Sequence, residues 1–166
     1  MSVRYQFDRG YGPISAAISM FGGGTLTLGF SHVDIVLPDG RLLGARSDWI
    51  KPLDGSAPIP PGVRVRPANY EKWKRRVVFE LAATKKQEAS FYKFLNAQVG
   101  KPYDKLAIWA FVANRNWRDD EAWFCDELAA AATEQAGLCE QLYLPANKLT
   151  PTSWAVVVSA IGGVAQ

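Results

Sequence analysis

The chain has 166 residues, a length that suits one domain with its own hydrophobic core, and we expect a single domain over residues 1–166. A hydrophobic content of 48% and a charged content of 21% are ordinary for a globular protein, and a net charge of +3 argues against nucleic acid as the main partner. Since no stretch is apolar enough for a membrane span and no secretory signal is evident, we expect a cytoplasmic location.

The first half of the chain predicts mainly strands. The alternation from Val3 to Phe7 is typical of a short edge strand, whereas the apolar spacing from Ile14 to Phe21 predicts a helix that ends at a triple glycine. The apolar runs Ser31 to Leu37 and Leu42 to Ala45 flank an Asp-Gly pair, which is typical of a β-hairpin. A further strand is predicted over Val77 to Leu81.

The second half predicts mainly helices. Thr84 to Val99 is amphipathic and begins with a capping threonine. Its predicted core stripe consists of Phe91, Phe94, Leu95 and Val99. Helices are also predicted over Leu106 to Ala113 and from Cys125 to about Gln135, while Ser153 to Ile161 could be a strand or a helix. This order of elements predicts an α+β domain with an antiparallel sheet.

Cys125 is the candidate nucleophile. It lies where an aromatic segment gives way to an alanine-rich helix, and the positive end of a helix dipole lowers the pKa of a thiol and favours the thiolate. The acidic neighbours Asp126 and Glu127 are typical of a helix start. The alternative is a free cysteine that only packs in the core.

His32, the only histidine, is the candidate base. It begins the first hairpin strand, from which its side chain can point into a cleft; the alternative is a structural histidine. Asp34 shares the face of His32 because side chains alternate along a strand, so Asp34 is the first choice for the group that orients the imidazole. Ser47 and Asp48 are the alternatives for that role. One thiol and one imidazole indicate a cysteine hydrolase or an acyltransferase.

The remaining chemistry of the chain indicates neither a cofactor nor a metal. The stretch between Cys125 and Cys139 is predicted to be helical, and a helix would separate the two residues by about 20 Å, which is too far for a disulfide. Two free thiols favour a reducing compartment. One histidine and two distant cysteines do not supply the usual zinc ligands, and the glycine triplet fits neither a P-loop nor a dinucleotide fingerprint.

Three short motifs, taken in order, resemble a known family. They are Ser31-His32-Val33, then Gly100-Lys101-Pro102-Tyr103-Asp104, then Trp123-Phe124-Cys125-Asp126-Glu127-Leu128. Together they resemble the circularly permuted papain-like hydrolases, relatives of NlpC-type cell-wall peptidases and of lecithin:retinol acyltransferase, in which the histidine precedes the cysteine. The resemblance covers about residues 29–137, and within this branch the chain is most similar to small phage and prophage proteins.

The resemblance implies a fold, a reaction and a setting. The fold is permuted papain-like, with an antiparallel sheet packed against the helix that carries Cys125. The reaction is cleavage of an amide bond in a peptide or in peptidoglycan, through a thioester on Cys125 with His32 as base and then as acid. The resemblance also places Tyr103 near the cleft as an oxyanion donor, although a tyrosine that packs against a helix is the alternative. The setting is a phage-encoded protein in a bacterial host.

Two positions depart from the family pattern. Asp126 stands where relatives commonly have serine, and an anion there disfavours the thiolate of Cys125. Gly44 stands about twelve positions after the histidine, where many relatives have a polar residue. These departures favour an alternative in which the chain is a catalytically inactive phage structural or binding module.

A further alternative is an acyltransferase or lipid thioesterase of the same fold. Aromatic residues near the nucleophile would suit an apolar acyl chain, although they could equally fill the core. These residues are Trp109, Phe111, Trp117, Trp123 and Phe124.

Overall fold

The computed structural model describes residues 1–11, 15, 29–104, 122–139 and 149–166. Within them, six strands form one antiparallel sheet, and three helices accompany it. The strands are β1 (Ser2–Arg9), β2 (His32–Val36), β3 (Leu42–Arg46), β4 (Gly62–Arg66), β5 (Arg75–Ala82) and β6 (Val164–Ala165). The helices are α1 (Lys85–Gln98), α2 (Cys125–Gln135) and α3 (Pro151–Ala160). The predicted α+β class and antiparallel sheet are confirmed. The helices predicted over 14–21 and 106–113 lie outside the described residues, Ser15 apart, as does the triple glycine.

Strand β1 lies inside the sheet, so the prediction of an edge strand was wrong. The strand order is β4-β3-β2-β1-β5-β6, and β1 pairs with β2 on one side and with β5 on the other. The alternation of β1 is misleading because its polar residues Gln6, Asp8 and Arg9 are also buried. Gln6 donates a hydrogen bond of 2.8 Å to Asp8, which satisfies polar groups on the face that alternation would assign to water.

Local sequence signals fix several boundaries as predicted. In the hairpin of β2 and β3, Ile35 pairs with Leu43, and Gly40 takes the positive φ of 85° that the turn requires. Thr84 and Gln87 form a reciprocal capping box at the start of α1. The segment left open as strand or helix is α3, which Thr150 caps through a second capping box.

The helices cover one face of the sheet. The ring of Tyr5 on β1 packs edge-on against Phe91 of α1 and Trp154 of α3, at centroid distances of 5.8 and 6.2 Å. Its hydroxyl forms a hydrogen bond of 2.8 Å with Thr133 of α2. Tyr5 therefore joins all three helices to the centre of the sheet.

The irregular segments on either side of β4 cover the opposite face. Their residues Ile50 and Tyr70 pack in a second, smaller core against Val36 and Leu42. Because both faces are covered, a polar side chain on either face of β1 or β2 must find its partner inside the protein.

Leu95 and Val99, both in the predicted core stripe of α1, differ in their exposure to solvent. Leu95 is fully buried, whereas Val99 is 43% exposed, since α1 ends at Gln98 and Val99 is its C-terminal cap. We expect Leu95→Ala to lower the free energy of unfolding by about 2–5 kcal/mol, because it leaves a cavity in the core. Val99→Ala should change it by less than about 0.5 kcal/mol. Urea denaturation of both variants measures this, and equal losses would contradict the placement of α1.

Candidate functional site

A cavity of about 260 Å³ opens at the end of the sheet where β1 and β3 end and β2 begins. His32, at the start of β2, and Cys125, at the start of α2, both line it. Tyr103 lines it as well, together with Ser47 and Asp48 from the segment after β3. Residues far apart in the sequence therefore meet in one space.

Cys125 is the first residue of α2 and is only 3% exposed. Burial raises the pKa of its thiol well above the usual range, and the neighbouring carboxyl of Asp126 adds to this. The backbone N–H of Val33 acts in the opposite direction but is outweighed. Burial and Asp126 therefore outweigh the helix-dipole effect expected from the sequence, and the surroundings of Cys125 favour the thiol over the thiolate.

Asp34 is the carboxylate that faces His32. Its Oδ1 lies 3.0 Å from His32 Nε2, a contact that has the distance of an ion pair but not the alignment of a hydrogen bond. Because Asp34 faces Nε2, Nδ1 is the nitrogen left to exchange a proton with a thiol or a substrate.

Asp34 is fully buried, yet its surroundings favour the ionised carboxylate. Burial raises its pKa, but His32, Arg66 and Tyr70 together hold the pKa below the usual range of an aspartate. The Tyr70 hydroxyl donates a hydrogen bond of 2.7 Å to Oδ2, and Arg66 Nη1 lies 3.9 Å from Oδ1. Arg66 is itself fully buried and donates to the backbone oxygens of Gly44 and Gly62.

Gly44 provides the space that the Asp34 carboxylate occupies. A Cβ atom at position 44 would collide with Asp34 Oδ1. A glycine inside a strand marks such a close approach, so this signal was present in the sequence. Position 44 therefore carries no side chain because the carboxylate of Asp34, beside His32, occupies the space that a side chain would need.

Trp73 covers the other side of the imidazole. Its ring is nearly parallel to that of His32, at an interplanar angle of 15° and a centroid distance of 6.0 Å. The guanidinium of Arg46 lies 5.5 Å from the Trp73 ring centroid. Sequence reasoning missed Trp73, Tyr70 and Arg66, because the first two lie in an irregular segment and the third on a short edge strand.

The alternatives to Asp34 are placed differently. Asp48 is held by Arg46 through two contacts of 3.0 Å, and Arg46 also donates to Glu71 at 2.7 Å. Ser47 lines the cavity without a described contact to His32. Asp48 interacts with His32 electrostatically, whereas Asp34 is the candidate with a described direct contact, at 3.0 Å, to the imidazole.

Tyr103 lies at the cavity and also packs against an aromatic neighbour. Its ring packs against Phe124 at a centroid distance of 5.5 Å, while the residue lines the cavity. Burial, Cys125 and Asp126 raise the pKa of its hydroxyl well above the usual range. Tyr103 therefore remains a neutral O–H donor near the sulfur.

The aromatic residues considered for an acyl chain divide into two sets. Trp123 packs edge-on against Phe94 and donates to Gln98, and Phe124 packs against Tyr103, so these two serve packing. The other three, Trp109, Phe111 and Trp117, lie outside the described residues.

Both cysteines are free. In the described part of the chain, no cluster of three His, Cys, Asp or Glu side chains has the arrangement to hold a metal ion. None of the described helices has the length and hydropathy to cross a membrane. Comparison of the sequence with models of known families and with curated proteins finds no match.

The space beside Gly44 can be tested with a double-mutant cycle. We expect Gly44→Ala to lower the free energy of unfolding by about 1–3 kcal/mol, because its methyl group displaces the Asp34 carboxylate. In an Asp34→Ala background the same change should cost much less, whereas in an Asp34→Asn background, which keeps the side-chain volume, the cost should remain. An equal cost in all three backgrounds, measured by urea denaturation, would refute the contact.

Asp8, paired with His32 across β1 and β2, gives the stability a pH dependence. Burial, reinforced by Asp34 and opposed by Gln6 and Arg76, raises the pKa of Asp8 from 3.8 to about 7. A raised pKa means that its contribution to stability is present below pH 3.8 and is lost as the pH rises to about 7. The free energy of unfolding of the wild type, minus that of Asp8→Asn, should fall across this range. A difference that is constant or rises with pH would contradict the assignment.

Proposed function

We propose that the chain is a thiol hydrolase that cleaves an amide bond in a peptide or in peptidoglycan. The observation that carries the proposal is the shared cavity: Cys125 and His32 both line it, and Asp34 contacts Nε2 of the imidazole, which leaves Nδ1 for proton transfer. A nucleophile, a base and a group that orients the base are the components this reaction needs.

The side chains of the cavity divide the proposed reaction among them. The Cys125 thiol gives its proton to His32 Nδ1, and the sulfur attacks the carbonyl carbon of the amide. The Tyr103 hydroxyl and the backbone N–H of Cys125, which has no partner within its helix, donate to the oxyanion that forms. His32 then protonates the leaving amine, which leaves a thioester. Water, deprotonated by His32, hydrolyses this thioester and restores the thiol.

Asp34 acts on the imidazole and not on the substrate. Its negative charge stabilises the imidazolium that forms after the first proton transfer, since the two groups are 3.0 Å apart. Arg66 and Tyr70 keep Asp34 ionised at this position despite its burial. The carboxylate is therefore ready before substrate binds.

We further propose that the fold is the permuted papain-like one, and that the protein is phage-encoded and acts in the cytoplasm of a bacterial host. The chain order supports this, because the strand that carries His32 precedes the helix that carries Cys125. The packing of α2 against β2 and β3 is also in keeping with it.

A second candidate function is a catalytically inactive binding module that keeps the same cavity. The observation that favours it is the burial of Cys125 beside the carboxyl of Asp126, which opposes thiolate formation. The two candidates differ in whether Cys125 reacts in a way that depends on His32.

An electrophilic probe and a substrate panel together separate them. We expect a peptide vinyl sulfone to label Cys125 in the wild type and in Cys139→Ala, and to label His32→Ala at least about a hundredfold more slowly, because the base is lost. Hydrolysis of fluorogenic peptide amides and of purified peptidoglycan should be absent in Cys125→Ala. Labelling that is indifferent to His32, together with no hydrolysis by the wild type, would favour the inactive module.

A further inference from the structure

We propose that Asp126 is a positioning residue that retains the Cys125 proton, so that the site rests with a neutral thiol and not as a thiolate–imidazolium pair. This inference rests on the proposed role of Cys125 as nucleophile. It assigns a role to the residue that departs from the family pattern beside the cysteine.

The geometry places the carboxyl against the sulfur. Cys125 Sγ donates to Asp126 Oδ1 at 3.6 Å, and Asp126 is fully buried. The second oxygen, Oδ2, is buried with no hydrogen-bond partner. The side-chain hydrogen bond described for this carboxyl is therefore the one that Oδ1 accepts from the Cys125 thiol.

The N–H groups at the start of α2 stabilise the carboxyl of Asp126 in preference to the sulfur of Cys125. The backbone N–H of Asp126 faces its own carboxyl and lowers the pKa of that group, against the larger effect of burial, which raises it. The first-turn N–H groups of a helix stabilise a nearby anion. Since the carboxyl takes up this stabilisation, the Cys125 thiolate loses the benefit that a helix start usually gives.

The surrounding charges act in the same direction. Glu127 raises the pKa of Asp126, and Asp34 and Asp126 both raise that of Cys125. Among the described residues, the titratable and charged groups that line the cavity beside Cys125, or that interact with the pair, are Tyr11, His32, Asp34, Arg46, Asp48, Glu71, Tyr103 and Glu127. Cys125 and Asp126 therefore titrate as a coupled pair, in which loss of the first proton opposes loss of the second.

The consequence for the reaction concerns the timing of proton transfer. A resting thiolate would react with any electrophile that reached it, whereas a thiol held by Asp126 reacts only when its proton moves to His32. The same contact orients the S–H bond and so fixes where the sulfur lone pairs point. Asp126 thus acts through Cys125 and has no contact of its own with substrate in this scheme.

The test is the pH dependence of Cys125 alkylation by iodoacetamide, followed by peptide mass spectrometry from about pH 5 to pH 10. In Asp126→Asn, the titratable carboxyl is replaced at nearly constant shape by an amide, which cannot become charged as the pH rises. We expect the alkylation midpoint of Cys125 to fall by at least about one pH unit, which corresponds to about tenfold faster labelling below the midpoint. An unchanged or higher midpoint would overturn the proposal.

Cys139 provides the matched control within the same molecule. Cys139 is partly exposed beyond the end of α2; its partial burial raises the pKa of its thiol, and Glu134 adds to this rise. Glu134→Gln should therefore shift the midpoint of Cys139 and leave that of Cys125 in place, and Asp126→Asn should do the reverse. A shift of both cysteines in either variant would indicate a general loosening of α2 and would count against a specific role for Asp126.

The wild type supplies a measurement that does not depend on the folding of a variant. The ultraviolet absorbance of a thiolate should be absent at neutral pH and should appear only in the alkaline range. A thiolate signal from Cys125 at neutral pH would overturn the proposal by itself. Hydrolysis is scored separately. A shifted midpoint without hydrolysis supports the role of Asp126 and refutes the proposed hydrolase activity. Hydrolysis without a shift refutes only the role of Asp126.

Discussion

The contact between His32 and the buried carboxylate of Asp34 determines how the rest of the site is built. A carboxylate fully removed from water is tolerated only when charges and hydrogen bonds replace its hydration. Arg66 and Tyr70 provide these partners, and Gly44 provides the room. This explains why a guanidinium is completely buried at the edge of the sheet and why the neighbouring strand carries no side chain at position 44.

The sheet brings two differently oriented groups to one cavity. Val33 on β2 faces the helices and packs in the main core with Cys125, whereas its neighbours His32 and Asp34 face the irregular segment that carries Tyr70 and Trp73. The two faces meet where β2 begins, and there the thiol and the imidazole reach the same space. The cavity therefore depends on the register of β1 and β2, because a shift of one residue would reverse the side to which every residue of β2 points.

The sequence predicts the elements whose signals are local. The Asp39-Gly40 turn and the Thr84–Gln87 capping box depend on neighbouring residues, and both form as predicted. The position of β1 in the sheet could not be predicted, because burial of its polar face depends on β5 and on the irregular segments on either side of β4. For the same reason, Cys125, His32 and Asp34 could be selected from residue type and spacing, while Arg66 and Tyr70 could not. Their roles arise from contacts between distant parts of the chain, which no local pattern encodes.

The most direct test of the shared site is a crystal structure of the protein with Cys125 alkylated by iodoacetamide. We predict that the amide group of the adduct lies inside the cavity, within hydrogen-bond reach of His32 Nδ1, and that Asp34 still faces Nε2. An adduct directed away from His32, or an imidazole turned away from both Asp34 and the sulfur, would contradict the account.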